Sequence, residues 1–91
     1  MRTVTVRIDG RVQGVYYRAW TEQTARRLSL DGWVRNCSDG GVKAVFSGPG
    51  DQVAEMLRLC ENGPRDAKVT SVTVTDGGDL PSSGFTVLPT E

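Results

Sequence analysis

The chain contains no histidine. That absence removes the commonest general base, the serine–histidine and cysteine–histidine nucleophile pairs, and the commonest transition-metal ligand together. Two cysteines, Cys37 and Cys60, are too few for a disulfide framework and too far apart for a close metal or redox pair, so reduced thiols are the expectation. No apolar run approaches the roughly 20 residues that a membrane helix needs. The N-terminus alternates Thr and Val instead of carrying an apolar signal core, which points to a cytoplasmic protein with no membrane partner. Excess charge is missing as well. With 11 basic and 11 acidic residues, nothing favours a nucleic-acid polyanion on net electrostatics, and any affinity for an anion must be local. Ninety-one residues build one modest core, so residues 1–91 are expected to form a single domain.

What is present is concentrated between Gly10 and Arg18, in the run Gly-Arg-Val-Gln-Gly-Val-Tyr-Tyr-Arg. A strand-like alternation (Val4, Val6, Ile8) precedes it and an amphipathic helical pattern follows. A short loop entering a helix leaves the first backbone N–H groups without partners, and these groups with the helix dipole make a seat for an anion. Arg18 adds a planar guanidinium fork, which grips two oxygens of a phosphoryl group where lysine would offer a point charge. The stretch reads as a phosphate site. Backbone donors from Gln13, Gly14, Val15, Tyr16, Tyr17 and Arg18 are its expected cradle. Gly14 and Gly10 both suit a loop that needs positive φ or close backbone approach.

The remaining elements follow in order. Tyr17, Trp20, Thr21, Thr24, Ala25 and Leu28 recur at helical spacing, with Arg18, Glu22, Gln23, Arg26 and Arg27 on the other side. Glu22 and Arg26 are placed for an i,i+4 pair, and two adjacent arginines on a helix surface need no nucleic-acid role. Asp31-Gly32 reads as the end of the helical segment. Trp33 to Cys37 is expected to be a second strand, joined through the turn Ser38-Asp39-Gly40-Gly41 to a third that carries Val42, Ala44 and Phe46 on one face. After Gly48-Pro49-Gly50, Asp51 opens a second helix whose buried stripe is Val53, Met56, Leu57 and Cys60, and Gly63-Pro64 stops it. A fourth strand uses Val72 and Val74, with Thr73 and Thr75 opposite. Pro81-Ser82-Ser83-Gly84 belongs to a loop, and Phe85 to Leu88 supplies a short final strand.

The order strand, helix, strand, strand, helix, strand, plus a short last strand predicts an α+β, ferredoxin-like split βαβ sandwich, with two helices on one face of an antiparallel-type sheet. In that topology the first and second strands run parallel with the third between them. Their ends emerge on one edge, so Asn36 at the end of the second strand comes near Arg18, 18 residues earlier in sequence.

GRVQGVYYRAW, followed by LDGWVRN and DGGV and then by ENGP with Ala67 and Val69, resembles the acylphosphatase family across nearly the whole chain. The family pattern runs glycine, any residue, Val-Gln-Gly-Val, any residue, Phe-Arg, and later Gly-Trp-Val, any residue, Asn. Tyr17 replaces the usual phenylalanine, and Cys37 stands where threonine commonly follows the asparagine. The resemblance implies hydrolysis of acyl phosphates to carboxylate and inorganic phosphate, with Arg18 binding the phosphoryl group and Asn36 positioning water. Such chemistry fits a chain without histidine. The departing carboxylate belongs to an acid of pKa about 4 and needs no general acid at neutral pH. The aspartates are scattered over turns, strand ends and a helix start, so neither a metal nor another cofactor is expected. A non-catalytic acylphosphatase-like phosphate-binding or regulatory module is the alternative. An RNA-binding ferredoxin-like domain would need exposed aromatics on central strands and a basic face, which this chain lacks. A monomer is the expected state.

Overall fold

The computed structural model describes residues 1–80 and 83–91, so Pro81 and Ser82 of the expected loop lie outside the described residues. Among the described residues the elements run β1 (Arg2–Arg11), α1 (Tyr17–Arg27), β2 (Asp31–Asn36), β3 (Val42–Gly48), α2 (Gly50–Cys60), β4 (Lys68–Asp76) and β5 (Phe85–Val87). The strand order is β4-β1-β3-β2-β5. β3 pairs antiparallel with both β1 and β2, which makes β1 and β2 parallel to each other, as a split βαβ unit requires. The last strand adds a feature beyond that expectation. β5 runs parallel to β2, with Gly32 opposite Phe85 and Val34 opposite Val87, so the five-stranded sheet is mixed.

Alternation on β1 decides which face is covered. Val4, Val6 and Ile8 are fully buried and pair with Phe46, Ala44 and Val42 of β3. The helices bring Tyr17, Ala25, Val53, Met56 and Cys60 onto that layer. Burial of such side chains contributes roughly 1.5–3 kcal/mol each. α2 keeps its predicted stripe, with Leu57 half-buried at the margin and Asp51 in its first turn. Val72 and Val74 sit on the same face, opposite Ile8 and Val6, but on an edge strand that the helices only partly cover. Val72 is half-buried and Val74 is exposed.

The end of α1 differs from the expectation. The helix closes at Arg27, and Ser29 takes the left-handed conformation, φ 58°. The Ser29 N–H donates to the Arg26 carbonyl at 3.0 Å and the Leu30 N–H to the Ala25 carbonyl at 2.9 Å, a Schellman closure with a buried leucine behind it. Asp31 and Gly32 therefore begin β2 instead of stopping the helix. The β2–β3 turn forms where expected: the Cys37 N–H donates to the Gly41 carbonyl at 2.8 Å, and the Gly40 N–H to the Cys37 carbonyl at 3.1 Å.

Candidate active site

Gly10 and Gly14, alike in the sequence, do different things. Gly10 lies in β1 beside an irregularity in the pairing with β4, at φ 124°, and a Cβ there would stand 2.1 Å from the Lys68 carbonyl oxygen and 2.7 Å from the Thr70 nitrogen. It is glycine because two backbones cross there, not because it touches a ligand. Gly14 has φ 74° and open space where a Cβ would be, so its conformation alone favours glycine.

From Gly14 the chain turns through Tyr16, itself left-handed at φ 63°, into α1. Among the described residues no side chain caps this helix, and its first turn carries no acidic residue, so the positive end of the dipole is not neutralised from within. Among the described residues, none of the N–H groups from Gln13 to Arg18 has a protein acceptor. The helix start is nevertheless fixed. Tyr17 is 1% exposed and its hydroxyl donates to the Cys60 carbonyl at 2.7 Å, tying the first turn of α1 to the last turn of α2. Burial pushes the Tyr17 phenol well above its ordinary pKa, which keeps that donor protonated. The Cys60 thiol, fully buried, is pushed up to about 12, and burial also raises the Cys37 thiol. Neither cysteine is a thiolate at neutral pH.

A cavity of about 460 Å³ opens at this helix end, lined by Val12, Gly14, Tyr16, Tyr17, Arg18, Ala19, Glu22, Asn36 and Val87. It brings together Arg18 from the start of α1 and Asn36 from the end of β2, as the strand topology requires. Of its two charged side chains, Glu22 already pairs with Arg26 at 3.1 Å, whereas Arg18 makes no ion pair among the described residues. Asn36 has a further mark: its side-chain oxygen Oδ1 is buried and has no hydrogen-bond partner among the described residues. An orphaned buried acceptor costs on the order of 1–3 kcal/mol unless something donates to it. The backbone around it is satisfied, since Asn36 pairs with Val42 in the sheet and its carbonyl accepts from the Glu91 N–H at 3.1 Å.

Two of the residues expected in the cradle do not line the cavity. The Val15 side chain packs into the core, and the Gln13 side chain crosses to the β2–β3 hairpin. Tyr16 stands at the rim, 82% exposed. Sequence reading missed Val12, Ala19, Glu22 and Val87 as wall residues. Ala19 and Glu22 were legible only as helix positions beside Arg18, and nothing local announces that β5 docks Val87 there.

A depression of similar size, about 440 Å³, lies on the uncovered face of the sheet between Thr5, Arg7, Asp39, Lys43 and Thr75. Its arginine is already engaged. Arg7 sits 3.0 Å from Asp9 and 2.8 Å from Asp39, and this pairing holds the Asp39 carboxyl below the usual carboxylate range. An anion entering there would compete with two carboxylates for one guanidinium, which favours the Arg18 cavity as the anion seat.

Comparison with known proteins assigns the family. The acylphosphatase family model matches residues 4–87. An acylphosphatase from Rhodospirillum rubrum is 48% identical over 89 residues, covering 98% of each chain, and one from Rhizorhabdus wittichii is 47% identical over 85 residues, covering 93% of this chain and 86% of its own. The crystal structure of acylphosphatase from Bacillus subtilis superposes with a TM-score of 0.90 at 32% identity, covering 97% of this chain and 99% of that one. The chain therefore belongs to the acylphosphatase family and is an enzyme acting on acyl phosphates.

Proposed function

We propose that Arg18 and the N–H groups from Gln13 to Arg18 hold the phosphoryl group of an acyl phosphate while Asn36 aims a water at phosphorus. The observation that carries this reading is that Asn36 lines the cavity that Arg18 also lines and that its Oδ1 has no hydrogen-bond partner among the described residues. A bound water satisfies that acceptor by donating one O–H to it, which orients an oxygen lone pair away from Asn36. The water oxygen attacks phosphorus in line, the bond from phosphorus to the acyl oxygen breaks, and its electron pair departs on the carboxylate. The water's protons pass to phosphate oxygens and solvent.

Positioning and charge stabilisation supply most of the catalysis in phosphoryl transfer, and both are within reach of one guanidinium and a row of free amides. No group with a neutral pKa is required, because the leaving carboxylate is stable unprotonated. The same chemistry needs no metal or cofactor. Val12, Ala19, Val87 and the Tyr16 ring offer an apolar wall to the acyl portion. We further propose that residues 1–91 act as one domain, as a monomer in the cytoplasm, on small-molecule substrate and without nucleic acid or membrane. Balanced charge and two unbridged, buried cysteines support this, as does the finding that no helix among the described residues is long and apolar enough to cross a membrane.

The test is continuous hydrolysis of benzoyl phosphate with inorganic phosphate as competitor, with and without a chelator. Turnover unaffected by chelation and competitive inhibition by phosphate are expected. Activity lost to the chelator and restored by magnesium would refute the metal-independent mechanism.

A further inference from the structure

Gln13 was expected to contribute only its backbone N–H, yet its side chain makes two hydrogen bonds across the molecule. Nε2 donates to the Cys37 carbonyl at 2.8 Å and to the Gly41 carbonyl at 2.8 Å, partners 24 and 28 residues away. Both acceptors are carbonyl oxygens, so only the NH2 end of the amide can face them and its orientation is fixed. Cys37 follows Asn36 directly, and Cys37 with Gly41 closes the base of the hairpin that ends β2. Among the described residues, no other hydrogen bond joins residues 12–16 to residues 36–41.

The hairpin does not need this amide for its own bonding. The Gly41 carbonyl already accepts from the Cys37 N–H at 2.8 Å, and the Cys37 carbonyl from the Gly40 N–H at 3.1 Å. What Gln13 adds is a fixed separation between the anion-holding loop and the strand end that carries Asn36. We propose that Gln13 is a positioning residue that sets the distance from the seated phosphoryl group to the water held by Asn36. This rests on the water-positioning reading of Asn36 given above. In-line attack tolerates little error, and a displacement of about 1 Å costs roughly a hundredfold in rate. The anion seat itself, made of Arg18 and local amides, does not depend on where the hairpin stands.

The test is a kinetic cycle on benzoyl phosphate with four proteins: parent, Gln13→Ala, Asn36→Ala and the double variant, each also titrated with inorganic phosphate. Gln13→Ala is expected to lower kcat by about ten- to a hundredfold while the phosphate inhibition constant moves less than about threefold. In the Asn36→Ala background the same substitution is expected to lower kcat by less than about threefold, because the water whose placement it governs is already lost. Gln13→Met, which keeps the volume and removes the donor, is expected to match Gln13→Ala and replaces it if the alanine variant does not fold. Equal losses of kcat in both backgrounds would overturn the proposal, as would phosphate affinity falling in step with kcat. If Asn36→Ala itself kept full turnover, the water-positioning reading would fail, an outcome distinct from an additive cycle, which sinks only the clamp.

Discussion

Asn36→Ala separates what the residue does for the fold from what it does in the cavity. Its Oδ1 is buried without a partner among the described residues, so the parent carries an unmet desolvation cost of about 1–3 kcal/mol, reduced by any water bound there. The backbone at Asn36 keeps its pairing with Val42 and its bond from the Glu91 N–H whatever side chain is present. Truncation should therefore leave stability unchanged or raise it by up to about 2 kcal/mol, seen as an equal or higher urea midpoint at constant m-value. Turnover should move the other way. Loss of one preorganised hydrogen-bonding group at a reacting centre costs about 3–4 kcal/mol of barrier, a drop in kcat on benzoyl phosphate of roughly a hundred- to a thousandfold. The two readouts must diverge. A variant more than about 1 kcal/mol less stable would mean that the amide supports the fold, and kcat within about twofold of the parent would mean that water is not placed from this side chain.

The two loop glycines give a contrast in stability. Gly10→Ala forces a Cβ to 2.1 Å from a carbonyl at φ 124° and should cost more than about 2 kcal/mol, whereas Gly14→Ala meets nothing within 4 Å at φ 74° and should cost about 1 kcal/mol. At about 4–8 °C per kcal/mol, calorimetry resolves the two, and equal melting shifts would contradict the assignment. The Arg7–Asp39 pair predicts a pH dependence of definite sign. Because Asp39 titrates lower folded than unfolded, its contribution is present above the unfolded value of about 3.9 and is lost as pH falls through the folded one. The stability difference between the parent and Asp39→Asn should shrink from pH 7 to pH 3 in urea titrations, and a constant difference would refute the pairing.

Periodicity made most of the fold legible. Val4, Val6 and Ile8 on β1 and Val53, Met56 and Cys60 on α2 bury as their spacing indicates, since a strand or helix with one apolar stripe has one way to face a core. Errors arose where the deciding contact is distant. Ser29 stops α1 in a conformation usually left to glycine, so Asp31-Gly32 looked like the stop. Alternation also does not report coverage: Val72 and Val74 share a face, and the edge position of β4 leaves Val74 exposed. Arg18 and Asn36 were singled out by chemistry, topology and the family resemblance together, and both line one cavity. The reach of Gln13 to the hairpin was invisible, because no local pattern encodes a bond to a carbonyl 24 residues away.

Titration of inorganic phosphate into the isotope-labelled protein, followed amide by amide, tests the central claim most directly. Saturable shifts concentrated on residues 13–18 and at Asn36 are predicted for the parent, and their loss at the same phosphate concentrations is predicted for Arg18→Ala. Shifts centred instead on Arg7, Asp39 and Lys43, or an Arg18→Ala variant that binds phosphate as the parent does, would contradict the account.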